Sequence, residues 1–154
     1  MNDVRIAVLE DLTELMALET SFPEGQRWGE SSWRDELMGS NRHVLVCSGP
    51  SGLAAAATFS FSGEVVDLHR IVTSTPARRR RLARRLVDAG MVWAREMGAN
   101  RMLLEVEATN APALSLYEGA GFHRISERHD YYGPGVHAAV LEREIPAVGE
   151  GEPS

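Results

Sequence analysis

The feature that most constrains the fold is a long amphipathic helix whose first turn is built of arginine. It begins after Pro76 and runs to about Met97, with Leu82, Leu86, Ala89, Trp93 and Met97 recurring on one face and Gly98 as the stop. Arg78, Arg79, Arg80 and Arg81 fill the first turn, and Arg84 and Arg85 follow one turn later. Aligned peptide dipoles already leave about half a positive charge at a helix N-terminus, and each further cation nearby costs roughly 0.3–1 kcal/mol. The arrangement becomes favourable when a polyanion docks at the helix end, where free backbone N–H groups also point. A pyrophosphate has that chemistry. The alternative reading of the same residues is an arginine-rich solvated helix face.

The segments around this helix set the fold class. Before it, residues 53–61 and 65–73 read as strands joined near Ser62-Gly63. After it, residues 101–107 alternate, with Met102, Leu104 and Val106 on one face and Leu103, Glu105 and Glu107 on the other. Towards the N-terminus the pattern predicts a short strand over residues 4–8, a helix over 11–18 and a loop over 22–28. A second short helix, capped by Ser31 or Ser32, runs through Trp33 and Leu37 to Gly39, and a strand over 43–48 precedes the Gly49-Pro50-Ser51-Gly52 turn. Asn110-Ala111-Pro112 starts a short helix ending at Gly121, and residues 122–132 and 136–144 make the last two strands. The expectation is an α+β fold in a single domain, residues 1–145, with a mixed central sheet of about seven strands flanked by about four helices. Residues 146–154, polar and rich in Gly and Pro, are expected to be a disordered tail.

Charge narrows the partners. The chain of 154 residues has net charge −6, and all 16 basic residues are arginine. An arginine cluster in an otherwise acidic protein calls for an anionic partner, and the acidic remainder suits a cationic second substrate. Net negative charge and the lack of interleaved aromatics argue against nucleic acid. No apolar run reaches the ~20 residues that span a bilayer, so no membrane segment is expected. The N-terminus lacks the layout of a secretory signal, and the lone Cys47 fits a reducing cytoplasm and reads as a small buried hydrophobe. The five histidines, His43, His69, His123, His129 and His137, show no metal spacing, so no metal is expected. A Walker loop, a GxGxxG fingerprint and a GxSxG elbow are also missing.

The stretch Leu104-Glu105-Val106-Glu107-Ala108-Thr109-Asn110-Ala111-Pro112-Ala113-Leu114-Ser115-Leu116-Tyr117-Glu118-Gly119-Ala120-Gly121-Phe122 resembles the GNAT acetyltransferases. Their shared pattern is a strand ending in an Asn-x-x-Ala helix, followed by L-Y-x-x-x-G-F. Within that superfamily the Leu-Glu-Val opening and the segment from Arg128 to Tyr131-Tyr132-Gly133 resemble the bacterial ribosomal-protein alanine N-acetyltransferases (RimI-like). The likeness is strong between Leu68 and Tyr132 and loose before Ser62.

The resemblance implies a GNAT fold and an acetyl-CoA-dependent N-acetyltransferase, with acetyl-CoA as co-substrate. It assigns Ile71, Val72 and Thr73 to the strand that hydrogen-bonds the pantetheine arm. Arg78, Arg79, Arg80, Arg81, Leu82 and Ala83 match the pyrophosphate loop, written Q/R-x-x-G-x-G/A. Arg81 departs from that pattern by standing at its glycine, where a missing Cβ lets backbone approach phosphate. Asn110 matches a cofactor contact where the two central strands part, and it is equally a helix N-cap. Tyr117 matches the general acid for the leaving thiolate. Spacing alone leaves Glu105 and Glu107 level as the base, since both fall on one strand face; the resemblance picks Glu105. Tyr131 and Tyr132 match a pair that shapes the acceptor groove, and Trp28 falls in the segment that lines the acceptor side, which departs from the family in spacing. The implied acceptor is a primary amine, most simply a protein N-terminal α-amino group such as that of a ribosomal protein. A small-molecule amine, or a non-catalytic acyl-CoA-binding module, remains open as an alternative. The chain is expected to be cytoplasmic and a monomer or homodimer, with no nucleic acid or membrane partner.

Overall fold

A computed structural model describes residues 3–74 and 80–146. The Arg78 and Arg79 positions, the Arg80 side chain and the expected tail beyond Pro146 lie outside the described residues. The elements run β1 (Val4–Ile6), α1 (Leu12–Leu18), α2 (Glu30–Met38), β2 (Arg42–Gly49), β3 (Gly52–Ser62), β4 (Val65–Thr73), α3 (Arg80–Glu96), β5 (Arg101–Glu107), α4 (Ala111–Gly119), β6 (His123–Arg128) and β7 (Ala138–Glu144). Seven strands form one mixed sheet in the order β1-β2-β3-β4-β5-β7-β6, as the α+β expectation requires. Chain contacts divide into two compact units, Met1–Ser60 with Arg70–Gly90 and Phe61–His69 with Met91–Ser154. No helix among the described residues is long and apolar enough to cross a membrane.

In the first unit β2 pairs antiparallel with β1 and with β3. Leu15, Leu18, Trp33, Val44, Val46, Leu53, Ala56 and Val72 form a continuous buried cluster, so α1 and α2 close over the strands through their apolar stripes. The α2 helix starts at Glu30 with Gly29 as N-cap, two to three residues ahead of the expected serine caps, because the Trp33 amide already bonds the Gly29 carbonyl at 3.4 Å. The α3 face also differs from the expected one. Leu82, Ala83, Leu86, Val87, Met91 and Ala94 are buried, while Met97 is exposed and Trp93 and Ala89 only partly covered. Gly90 explains the rotation: a Cβ there would collide with the ring of Phe59, which is itself fully buried. The helix turns its backbone at Gly90, not its bulkiest side chains, towards the strand.

In the second unit β4 and β5 pair in parallel, Val65 to Asp67 against Arg101 to Leu103. β7 pairs antiparallel with β5 and β6. Met102, Leu104 and Val106 are buried and their neighbours less so, which is the alternation read from the sequence. β6 ends at Arg128, four residues before the expected Tyr132. Asp130 takes φ 55°, Gly133 φ 134° and Gly135 φ 75°, so the chain leaves extended geometry and turns here. The Asp130 side chain accepts from the Gly135 amide at 2.8 Å and fixes that turn.

Candidate active site

Glu105 sits on β5 with its side chain 30% exposed. Its Oε2 accepts from Nη1 of Arg128 at 2.6 Å, and its Oε1 faces the Tyr131 hydroxyl at 3.4 Å. The Arg128 guanidinium also lies over the Tyr131 ring, 4.3 Å from its centroid. The hydrogen bond to Glu105, then its charge, raises the Arg128 pKa further above its usual value. Glu107, level with Glu105 on spacing, is separately engaged: its Oε1 accepts from the Thr109 hydroxyl at 3.1 Å. The cation and the tyrosine therefore gather at Glu105.

Tyr117 is buried on α4 and meets Phe122 edge-on, with centroids 5.9 Å apart. Glycine at position 121, with φ 96°, turns the chain so that Phe122 returns onto the helix. Burial, and secondarily Tyr132, push the Tyr117 phenol well above its ordinary pKa, so it keeps its proton through the neutral range. Tyr131 and Tyr132 touch edge-on at 4.9 Å in the turn after β6, half exposed; they are a turn pair and not a cross-strand pair. Burial pushes Tyr132 up to about 12, and the charge of Glu105 adds to it.

Asn110 caps α4, its Oδ1 accepting from the Ala113 amide at 3.2 Å. The side chains of Val72, Leu82 and Ala83 are buried in the core, which leaves only their main chain to meet a ligand. Arg81 is exposed in the first described turn of α3, where no acidic residue stands and Arg84 and Arg85 are likewise exposed. That donor set fits a polyanionic cofactor end. A cavity of about 420 Å³ in the first unit lies against Ala54 and Ser74, next in chain to Ile71, Val72 and Thr73. Trp28 is held by its amide, which donates to Oε1 of the buried Glu19 at 2.8 Å. Glu105, Asn110, Tyr117, Tyr131 and Tyr132 belong to the second unit, while Trp28, Ile71, Val72, Thr73, Arg81, Leu82 and Ala83 belong to the first. Sequence reasoning left Arg128, Glu19 and Arg70 without roles; an Arg and a Glu far apart in the chain carry no local signal of their pairing.

A model described as the acetyltransferase (GNAT) family matches residues 9–122. The ribosomal protein bS18-alanine N-acetyltransferase of Salmonella typhimurium is 28% identical over 135 residues, 86% of this chain and 88% of the relative. An uncharacterized protein of Mycobacterium leprae is 28% identical over 140 residues, 87% of this chain, and this chain spans only 38% of its length. The crystal structure of the ribosomal-protein-S18-alanine N-acetyltransferase from Escherichia coli superposes with a TM-score of 0.84 at 23% identity, covering all of both chains. At that identity the likeness speaks for the fold.

Proposed function

The chain belongs to the GNAT acetyltransferase family, and from that premise we propose that its acceptor is a protein N-terminal α-amino group, with Glu105 as base and Tyr117 as acid. The enzyme class follows from the family: an N-acetyltransferase with acetyl-CoA as co-substrate. The reading of the acceptor draws on the relatives that act on a ribosomal-protein alanine. The observation that supports the base is the Glu105 carboxylate, 30% exposed, with Arg128 on one oxygen at 2.6 Å and the Tyr131 hydroxyl 3.4 Å from the other; the acid role of the buried Tyr117 comes from the family resemblance.

Attack on a thioester needs a neutral amine, and an α-amino group with pKa near 8 is partly neutral already. Glu105 takes the remaining proton, directly or through water, while Arg128 fixes one carboxylate oxygen and leaves the other towards Tyr131. Main-chain N–H near Val72 would supply the hydrogen-bond donor for the developing negative oxygen. Tyr117 holds a proton for the departing sulfur. Arg81, Arg84 and Arg85 would supply positive charge for the phosphates; by the family resemblance the main chain of Ile71, Val72 and Thr73 would hold the pantetheine arm and Asn110 would contact the cofactor. The acceptor-side roles go to Tyr131 and Tyr132 in the second unit and to Trp28 in the first.

The test is acetylation of an alanine-initiated ribosomal peptide set against small amines, read by mass spectrometry. Transfer to the peptide α-amine is expected. Transfer to small amines alone would move the acceptor assignment, and acetyl-CoA binding without turnover on any amine would favour a non-catalytic module. Glu105→Gln and Tyr117→Phe should each lower kcat by roughly 10²-fold or more, with acetyl-CoA affinity retained. Wild-type turnover in both variants would remove the roles given to them.

A further inference from the structure

The β6–β7 hairpin brings together three side chains that the chemistry above does not use. Glu127 lies near the end of β6, and His129 is the first residue past that end, in the turn. The register pairs Glu127 with Ala139 and Arg128 with Ala138, where the ladder ends, and His129 and His137 are the next residues beyond it on either side. The two imidazoles meet edge-on with centroids 4.7 Å apart. His129 Nε2 is 3.9 Å from Oε1 of Glu127, and one donor atom from each of the three residues lies within 4.8 Å of the others.

We propose that Glu127, His129 and His137 form a binding site for a first-row divalent metal ion, with zinc as the reference case. Two imidazoles and a carboxylate are borderline donors that suit zinc, and three protein ligands leave a fourth position for water. Donors on a zinc ion at ~2.0–2.1 Å sit about 3.3 Å apart, so the three must close by about an ångström. The His129 side chain is 75% exposed and Glu127 35%, so small torsions achieve this without disturbing packing. The nearest charges are opposed. Arg124 lies 3.5 Å from the other Glu127 oxygen, and the Asp130 carboxylate lies 3.8 Å from His137.

The bound ion would act on the turn. His137 Nδ1 accepts from the Asp130 amide at 3.0 Å, so the proton of the neutral ring is on Nε2. An ion on Nε2 moves that proton to Nδ1, which can then no longer accept from the amide. An ion on Nδ1 displaces the amide outright. In either case the Asp130 N–H bond to the ring is lost, and Nδ1–H has the Asp130 carboxylate as its new partner in the first case. The segment from Asp130 to Val136 carries Tyr131 and Tyr132, so metal binding resets the acceptor-side tyrosines. This consequence for the acceptor rests on the proposed function; the metal site itself does not.

Calorimetry with zinc chloride on the untagged full chain tests the site. One equivalent is expected to bind, with affinity falling at least ~10-fold in His129→Ala and in His137→Ala, and also in Glu127→Gln. Saturating zinc should shift the Asp130 amide resonance in the wild type and leave it in place in His129→Ala. No binding by the wild type, or unchanged affinity in all three variants, overturns the site. An Asp130 resonance that stays put in the zinc-saturated wild type overturns its coupling to the turn. None of these readouts requires an acceptor or turnover, so they fail or succeed independently of the acetyl-transfer reading.

Discussion

Glu19 and Glu105 are built from the same parts and serve opposite ends. Each carboxylate is held by an arginine that also stacks on an aromatic ring. Glu19 is 1% exposed and accepts from the Trp28 amide at 2.8 Å, Trp33 Nε1 at 2.8 Å, and Arg70 Nε and Nη2 at 2.9 and 2.7 Å. Its arginine lies 4.1 Å from the Phe22 ring centroid and 4.9 Å from that of Trp28. Glu105 has one short bond from Arg128, one long one from Tyr131, and an open side. A sealed carboxylate with every lone pair committed can hold two segments together but cannot exchange a proton. A solvated one with spare acceptor capacity can. Burial and bond count, not residue type, separate the lock from the base.

The largest effect is expected from breaking the lock. Glu19→Ala leaves Arg70 partly buried without its partner and Trp33 Nε1 without an acceptor, and such losses cost about 3–5 kcal/mol. Urea unfolding measures this, and a loss below about 1 kcal/mol would mean that water replaces the carboxylate and the site is not sealed. Because Glu19 also ties the Trp28 amide and Arg70 the Gln26 carbonyl, the same variant should raise the acceptor KM of whatever protein remains folded.

Glu105→Gln is the converse. It should leave the urea midpoint close to wild type and lower kcat by roughly 10²-fold. A stability loss as large as that of Glu19→Ala would erase the contrast and recast Glu105 as structural. Arg128→Ala comes next in size. An exposed pair contributes little, so turnover should fall by about fivefold at most, through a less fixed carboxylate. A fall as deep as that of Glu105→Gln would make Arg128 part of the reacting group itself.

How much of this was legible beforehand follows the range of the interactions. The β5 alternation, the Asn110 cap and the Tyr117 to Phe122 turn are local patterns, and the structure has them where periodicity and turn chemistry put them. The Gly90 contact rotated the buried face of α3 away from Trp93 and Met97 while Leu82 and Leu86 stayed buried, because side-chain size along a helix says nothing of which strand residue crosses it. The Glu19–Arg70 pair spans 51 positions and the Glu105–Arg128 pair 23, and neither has a sequence signature. His129 and His137 looked scattered because their spacing fits no metal motif; only the hairpin register sets them side by side.

The smallest predicted effect asks how far the charge of the open carboxylate reaches. Burial raises the pKa of Asp67 on β4, His69 lowers it, and Glu105 adds a further upward push that Arg101 partly offsets. With its folded pKa above the unfolded value, protonation of Asp67 stabilises the native state fully below about pH 4, and that stabilisation is lost as pH rises through the folded pKa. Asp67→Asn should therefore be more stable than wild type at neutral pH, with the difference fading in acid. In Glu105→Gln the push is gone, so the Asp67 carboxyl should titrate at lower pH, followed through its carbon resonance. An unchanged midpoint would mean that solvent and Arg128 fully screen Glu105, and that its charge acts only on groups that touch it. A downward shift would show that the exposed carboxylate, unlike the sealed Glu19, projects its field along the sheet to a second acidic group.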